Sequence, residues 1–346
     1  MFSKLFSRLS KDMGIDLGTA NTLVFVKDKG IVLNEPSVVA LNTRTEEILA
    51  VGEEAKKMVG KTPAHIVAIK PLQDGVISDF EVTEKMLRYF IQKTHKETRG
   101  FAPRPRVVIG IPMDVTEVER KAVEDATLSA GAREVYLIEE PLAAAIGSRI
   151  PIHEPSGFML VDIGGGTTEI AVISLGGIVS KKSLRLAGNE LNENILRYVR
   201  ENFNILIGEK TAEEIKIKIG SVLPAKEVLG YKIRGRNLLD GLPTETTITN
   251  EEAREAILPT ITTMIENIIS TIEATPPELV ADIHERGIML AGGGALLRGL
   301  DTMISQRTRV PVHIVDDPLT AVVRGTGLLL EDIALLKQVK LPSAGL

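Results

Sequence analysis

The sequence predicts an α/β protein built twice from one plan, and three observations predict it. First, Asp16-Leu17-Gly18-Thr19-Ala20-Asn21-Thr22, at the end of an apolar run, has a twin in Asp162-Ile163-Gly164-Gly165-Gly166-Thr167-Thr168. The two aspartates are 146 residues apart, close to one domain length. Second, a Gly/Thr turn between β-branched apolar runs is a hairpin signal, and each turn leads into two such runs, 23–26 and 30–33 in one half, 170–174 and 177–179 in the other. Third, further strand patterns alternate with helical ones in both halves, which argues an α/β architecture.

Taken in order, residues 1–11 form an amphipathic stretch. At ~100° per residue, Phe2, Leu5, Phe6 and Leu9 share one narrow face, while Lys4, Arg8 and Lys11 lie opposite. This is the pattern of a helix lying in a membrane interface. Each basic residue adds about 1 kcal/mol near anionic lipid, so one copy binds weakly and many copies on one object bind tightly. Residues 12–147 with 316–334 make up the first expected lobe, interrupted at 34–68 by an insertion with its own apolar pattern. Residues 106–112 read as a buried strand. The helix at 116–130 opens with Thr116 as cap and Glu119 completing a capping box. The second expected lobe, 148–315, carries an insertion at 182–249. Its strand at 287–291 partners the one at 106–112 and leads into the glycine triplet 292–294 and a helix.

Composition narrows the chemistry. The chain has 346 residues, a net charge of −5, no tryptophan, eight phenylalanines and four tyrosines. A general nucleic-acid binder needs a basic field and stacking platforms, so nucleic acid is not an expected partner. Cysteine is absent, and His65, His95, His153, His284 and His313 are scattered, so no Cys- or His-based metal centre is expected. The longest apolar run, 288–297, is ten residues and contains three glycines, well short of the ~18 needed to span a membrane. A cytosolic protein is the expectation.

The twin turns are the main candidate site. A glycine-rich turn presents successive backbone N–H groups without side-chain obstruction and so makes an anion-binding concavity. Two such turns could hold a phosphate chain from both sides, with Asp16 and Asp162 reaching a hydrated Mg²⁺. Ile138-Glu139-Glu140-Pro141 opens an alanine-rich helix ending near Gly147, and 318–327 pairs Ala321 with Gly325 at i,i+4; these small residues suit two helices crossing closely. Leu290-Ala291-Gly292-Gly293-Gly294-Ala295 suits a backbone lying flat against a nucleobase or ribose.

These five segments, in this order, resemble the two phosphate motifs, two connecting helices and adenosine motif of the actin, sugar-kinase and heat-shock-chaperone ATPase superfamily. Asp16–Leu17 with 18–24, Gly30 to Ser37 with its Asn34-Glu35-Pro36-Ser37, Asp162 to Glu169, Gly208 to Glu213 and Pro276-Pro277-Glu278-Leu279 further resemble the MreB family of bacterial actins, from about residue 12 to about 330. The resemblance implies two lobes, each a mixed sheet flanked by helices, with ATP and Mg²⁺ in the cleft between them. It implies that Thr19, Ala20 and Asn21, and Gly164, Gly165 and Gly166, contact phosphate, that Asp16 and Asp162 sit near Mg²⁺, and that Glu140 with Thr167 orients the attacking water. Ala212, Glu213, Glu214 and Ile215, with Gly292, Gly293, Gly294 and Ala295, would hold adenosine. It also implies self-association into paired protofilaments on inner-membrane lipid, with RodZ, MreC and MreD as partners, in the service of cell-wall elongation and rod shape.

Two positions depart from the family pattern. Asn189 stands where an aspartate is usual, and Ala291 precedes the glycine triplet where a threonine is usual. The loop at 99–103 offers one Phe101 where the family has a second membrane-inserting loop. Glu214 and Lys218 also form an ordinary i,i+4 surface pair. The alternatives are a chaperone or a small-molecule kinase of the same fold. The first needs a further substrate domain, whereas the sequence ends at Leu346, and the second needs a substrate-specific signature, which none of the motifs supplies.

Overall fold

The computed structural model describes residues 11–96, 104–224 and 227–342. The amphipathic stretch with Phe2, Leu5, Phe6 and Leu9, and the loop at 99–103, lie outside the described residues. Among the described residues, no helix is long and apolar enough to cross a membrane. They divide into two compact units, one drawn from Met1–Ser156, Ile173–Val179 and Leu319–Leu346, the other from Gly157–Val172 and Ser180–Pro318.

In the first unit, β1 (Met13–Leu17), β2 (Asn21–Val26) and β3 (Gly30–Pro36) form an antiparallel meander. Next come strands β4 (Val39–Asn42) and β5 (Ile48–Val51), the short helix α1 (Glu53–Lys56) and β6 (Ile66–Ile69), and β4, β5 and β6 make a separate three-stranded sheet. A small hairpin, β7 (Leu72–Gln73) and β8 (Val76–Ile77), leads into α2 (Phe80–Lys96), whose Val82, Met86, Leu87, Phe90 and Ile91 point into the core. That i, i+4, i+8 spacing is what turns one face of a helix towards a sheet. Then come β9 (Arg106–Ile111), α3 (Glu117–Ser129), β10 (Glu134–Glu139) and α4 (Glu140–Gly147). The main sheet runs β10-β9-β1-β2-β3, with β9 parallel to both β1 and β10. Strand β9 is buried almost throughout, as expected for a parallel strand covered on both faces. The capping box expected at Thr116 is present: Glu119 N donates to Thr116 Oγ1 at 3.2 Å, and Thr116 N donates to Glu119 Oε2 at 2.7 Å.

The second main sheet repeats the strand order. It contains β11 (Phe158–Ile163), β12 (Thr168–Ser174) and β13 (Gly177–Leu184), then, after α5 (Gly188–Phe203), β14 (Ile205–Leu206), α6 (Glu209–Ile219), β15 (Gly230–Asn237), β16 (Pro243–Thr249), α7 (Asn250–Glu273) and α8 (Pro277–Arg286), it is completed by β17 (Ile288–Ala291) and β18 (Val312–Ile314). The order is β13-β12-β11-β17-β18, with β17 parallel to β11 and β18. Strand for strand this matches β3-β2-β1-β9-β10. Strands β14, β15 and β16 form their own sheet.

Several elements run differently from the sequence expectation. Strands β2, β3 and β13 are longer than the apolar runs that announced them, because ladder pairing carries on through polar residues such as Asn34 and Lys181. The glycine triplet does not enter a helix directly. It makes one 3₁₀ turn, Gly293–Leu296, and α9 (Leu300–Thr308) starts only after Gly299, which sits at φ 79°. Three successive glycines lose too much backbone entropy to start an α-helix. Likewise α10 (Ala321–Glu331) comes after a short 3₁₀ segment, Pro318–Thr320. Helices α4 and α10 both belong to the first unit, and their backbones touch: a Cβ on Gly147 would overlap the Ala321 carbonyl oxygen, and one on Gly325 would overlap that of Ala143.

Candidate functional site

The first turn closes β1. Gly18 has no room for a side chain, since a Cβ there would stand 2.7 Å from Asn21 O. The turn is tied down by hydroxyl side chains. Ser37 Oγ donates to Gly18 O at 2.6 Å and lies 2.9 Å from Thr22 Oγ1. Ser37 has one proton, so Thr22 is the donor in that pair. Ser37 N also donates to Ala20 O at 3.0 Å, and Asn21 Nδ2 to Asn34 Oδ1 at 3.0 Å. Thr19 Oγ1 accepts from Gly75 N at 3.0 Å, at the tip of the β7–β8 hairpin. Sequence reasoning gives Ser37 no role; its only signal is a lone hydroxyl residue at the end of Asn34-Glu35-Pro36.

Asp16 pairs in register with Gly110 across the parallel β1–β9 ladder. Gly110 in turn carries the Glu140 side chain against its bare Cα, for a Cβ there would stand 3.3 Å from Glu140 Cγ. Asp16 and Glu140 thus reach the same neighbourhood at the carboxyl ends of parallel strands, where open α/β sheets bind ligands. Burial pushes the Asp16 carboxyl up to about 7 from its ordinary 3.8.

The second turn comes directly after β11 and is held differently. Gly164 N donates to Thr167 O at 2.9 Å, closing the turn on itself. Gly188 N donates to Gly164 O at 3.1 Å, and Asn189 N to Gly165 O at 2.8 Å, so the first amides of α5 grip the turn's outer carbonyls. Thr168 Oγ1 donates to Leu186 O at 2.6 Å. Asp162 and Thr167 are buried. Asp162 pairs in register with Ala291, and Gly292, at φ 76°, lies so close that a Cβ would overlap Asp162 Oδ1 and Ile163 O. Gly294 packs its bare Cα on the Ile163 side chain. The glycine triplet is therefore what allows β17 to run flush against the turn.

The remaining adenosine candidates divide. Ala212, Ile215 and Ala295 are fully buried in the core of the second unit. Glu214 accepts a hydrogen bond from Tyr231 and stands 3.7 Å from Lys218 and 4.0 Å from Lys210. The Tyr231 bond, with the two lysines, holds its carboxyl below the usual range despite some burial.

A resident Mg²⁺ can be tested against these residues. Among the described residues, no three His, Asp or Glu side chains gather into a cage. A hard cation that keeps most of its waters and binds mainly phosphate needs only one or two carboxylates. A desolvated Asp16 beside an amide-bearing turn fits that demand, because a cation would restore the charge that burial suppresses.

Two units on one strand order, each with an aspartate closing a central strand before a glycine turn, define the actin-like duplicated α/β fold. The sequence matches the family described as MreB/Mbl protein over residues 10–338. The cell shape-determining protein MreB of Escherichia coli (strain K12) is 50% identical over 337 residues, covering 96% of this chain and 97% of that one. The crystal structure of MreB5 of Spiroplasma citri bound to AMPPNP superposes with a TM-score of 0.89 at 38% identity, covering 94% and 97% of the two chains. A MamK double helical filament gives a TM-score of 0.78 at 25% identity, covering 92% and 98%. The chain belongs to the MreB/Mbl family of cell shape-determining proteins.

Proposed function

We propose that this protein binds and hydrolyses ATP with Mg²⁺, and that it polymerises into paired, membrane-associated filaments that direct cell-wall elongation and rod shape. The observation that carries this function is the repeated strand order with an aspartate and an amide-rich turn at equivalent places in both sheets. The AMPPNP bound to S. citri MreB5 and the filament formed by MamK support it.

Each turn would supply backbone N–H groups to one nucleotide, Thr19, Ala20 and Asn21 from one and Gly165 and Gly166 from the other, where Gly164, whose N–H closes the turn on Thr167 O, would contact phosphate through its bare Cα. Thr19 accepts from Gly75, so its own hydroxyl proton can go to a phosphate oxygen. Asp16 and Asp162 would hold Mg²⁺, which when bound neutralises the charge of the phosphate chain. Glu140 and Thr167 would hold the attacking water in line, a positioning role. Gly292, Gly293 and Gly294, with the start of α6 from Ala212 to Ile215, would hold adenosine mainly through backbone, given the burial of Ala212, Ile215 and Ala295. The stretch with Phe2, Leu5, Phe6 and Leu9 would hold filaments on the inner face of the cell membrane, where RodZ, MreC and MreD are the expected partners.

The test is Glu140→Ala, with phosphate release and ATP affinity measured separately. ATP binding is expected to survive while phosphate release slows by a factor of about 10² or more. Equal loss of both would make Glu140 a structural residue.

A further inference from the structure

Lys216 lies on α6, one residue beyond the stretch 212–215 assigned to adenosine. Its ammonium reaches the very start of α5, where Nζ donates to Gly188 O at 2.7 Å. Gly188 is also the residue whose N–H donates to Gly164 O at 3.1 Å, and its neighbour Asn189 donates to Gly165 O at 2.8 Å. The Gly188–Asn189 peptide thus receives the lysine on its carbonyl while its own N–H and that of the preceding peptide hold the phosphate turn. The fit leaves little slack. A Cβ on Gly188 would stand 3.2 Å from Gly164 O and 3.3 Å from Lys216 Nζ. Thr168 Oγ1 anchors the far side of the turn to Leu186 O, which leads into the same helix start.

This arrangement has two physical consequences. A hydrogen bond from a charged donor polarises the amide it meets, here the Gly188–Asn189 peptide, so the bond Asn189 N makes to Gly165 O gains strength, while the Gly188 backbone is fixed where its own N–H meets Gly164 O. An ammonium placed beside an anion-binding concavity also favours the charge of an incoming phosphate. We propose that Lys216 is a positioning residue for the second phosphate turn, holding α6, the start of α5 and the 164–166 backbone in one register so that the turn's N–H groups face a polyphosphate. The ligand class it serves is the polyphosphate chain, and the nucleoside is served by other residues. This rests on the nucleotide reading above and assigns Lys216 a task within it.

The test uses the full-length protein, with Lys216→Met and Lys216→Arg variants, and three probes: ATP, adenosine, and inorganic tripolyphosphate, the latter two separating the halves of the nucleotide. Calorimetry should show Lys216→Met weakening ATP and tripolyphosphate alike by about tenfold, with adenosine unaffected and most of the loss restored in Lys216→Arg, which can still donate to Gly188 O. Hydrogen exchange in the absence of ligand should show the Gly188 and Asn189 amides deprotected in Lys216→Met and protected again in Lys216→Arg. Weakened ATP and adenosine with unchanged tripolyphosphate would overturn the proposal, making Lys216 a nucleoside contact. Unchanged exchange at Gly188 and Asn189 would overturn it as well, whatever the affinities. Should the unmodified protein bind none of the three probes, the nucleotide reading fails, and the exchange measurement still decides whether Lys216 holds the turn.

Discussion

The two glycine turns occupy equivalent places in sheets of the same order, and each has a backbone and a hydroxyl tie, Ser37 N to Ala20 O in one and Thr168 Oγ1 to Leu186 O in the other, yet the balance of what secures them differs. The first is held by hydroxyl side chains reaching in from elsewhere, Ser37 onto Gly18 and Thr22 onto Ser37, with Thr19 in turn accepting from the Gly75 amide. The second is held by backbone amides of α5 and by glycines that let β17 lie flush against Asp162 and Ile163. A duplicated plan fixes where a turn must be and leaves open how it is made rigid. The first turn should therefore be broken by removing atoms, and the second by adding them.

The largest expected effect is on the second turn. Gly292→Ala forces a left-handed backbone onto a residue with a Cβ and drives that Cβ into Asp162 and Ile163. The two costs together are about 3 kcal/mol or more, to be read as a lower midpoint in thermal or urea unfolding. An unchanged midpoint would show that β17 can withdraw from the turn at no cost, and the contrast between the turns would lose its basis. Next comes Ser37→Ala, which strips Gly18 O of its donor and Thr22 of its acceptor. Leaving those groups unmet costs about 1–3 kcal/mol, and Ser37→Thr, which keeps the hydroxyl, should recover part of it. Equal stability of Ser37→Ala and the unmodified protein would mean that the first turn holds its shape without the hydroxyl.

The third effect concerns Asp16 and depends on pH. Folded protein keeps the Asp16 proton up to about pH 7, whereas the unfolded chain releases it near 3.8. The unfolded state binds fewer protons in that window, so this group's contribution to stability falls as pH rises across it. Asp16→Asn should accordingly stabilise the ligand-free protein at pH 8 and not at pH 4. It should also abolish Mg²⁺-dependent ATP binding, the usual exchange of function for stability at a site. A stability gain of the same size at both pH values would disconnect it from the carboxyl's charge.

The hairpin turns are legible in the sequence because Asp, Gly and Thr between β-branched runs have strong local preferences, and the doubling makes two weak signals one strong one. The Thr116 capping box is legible for the same local reason. The features that escape sequence reading are tertiary. Ser37 lies 19 residues from Gly18 and Lys216 lies 28 from Gly188, distances at which no periodicity links donor to acceptor. The burial of Ala212 and Ile215 escapes too, since α6 shows its inner face only once the sheet it covers is in place. The 3₁₀ turn after Gly292 is equally hidden, because a glycine run marks a break and leaves the next conformation open.

The crossing of α4 and α10 carries a mechanical consequence. Gly147 and Gly325 rest directly on carbonyl oxygens of the opposite helix, and the residues one turn away on the same faces, Ala143 and Ala144 on α4 and Ala321 and Leu329 on α10, all bear side chains. A slide of one helix along the other by one turn would press one of those side chains into main chain, so a change of register is blocked. The motion left to the pair is swivelling about the contact point. It is a pin joint whose axle is two missing methyl groups.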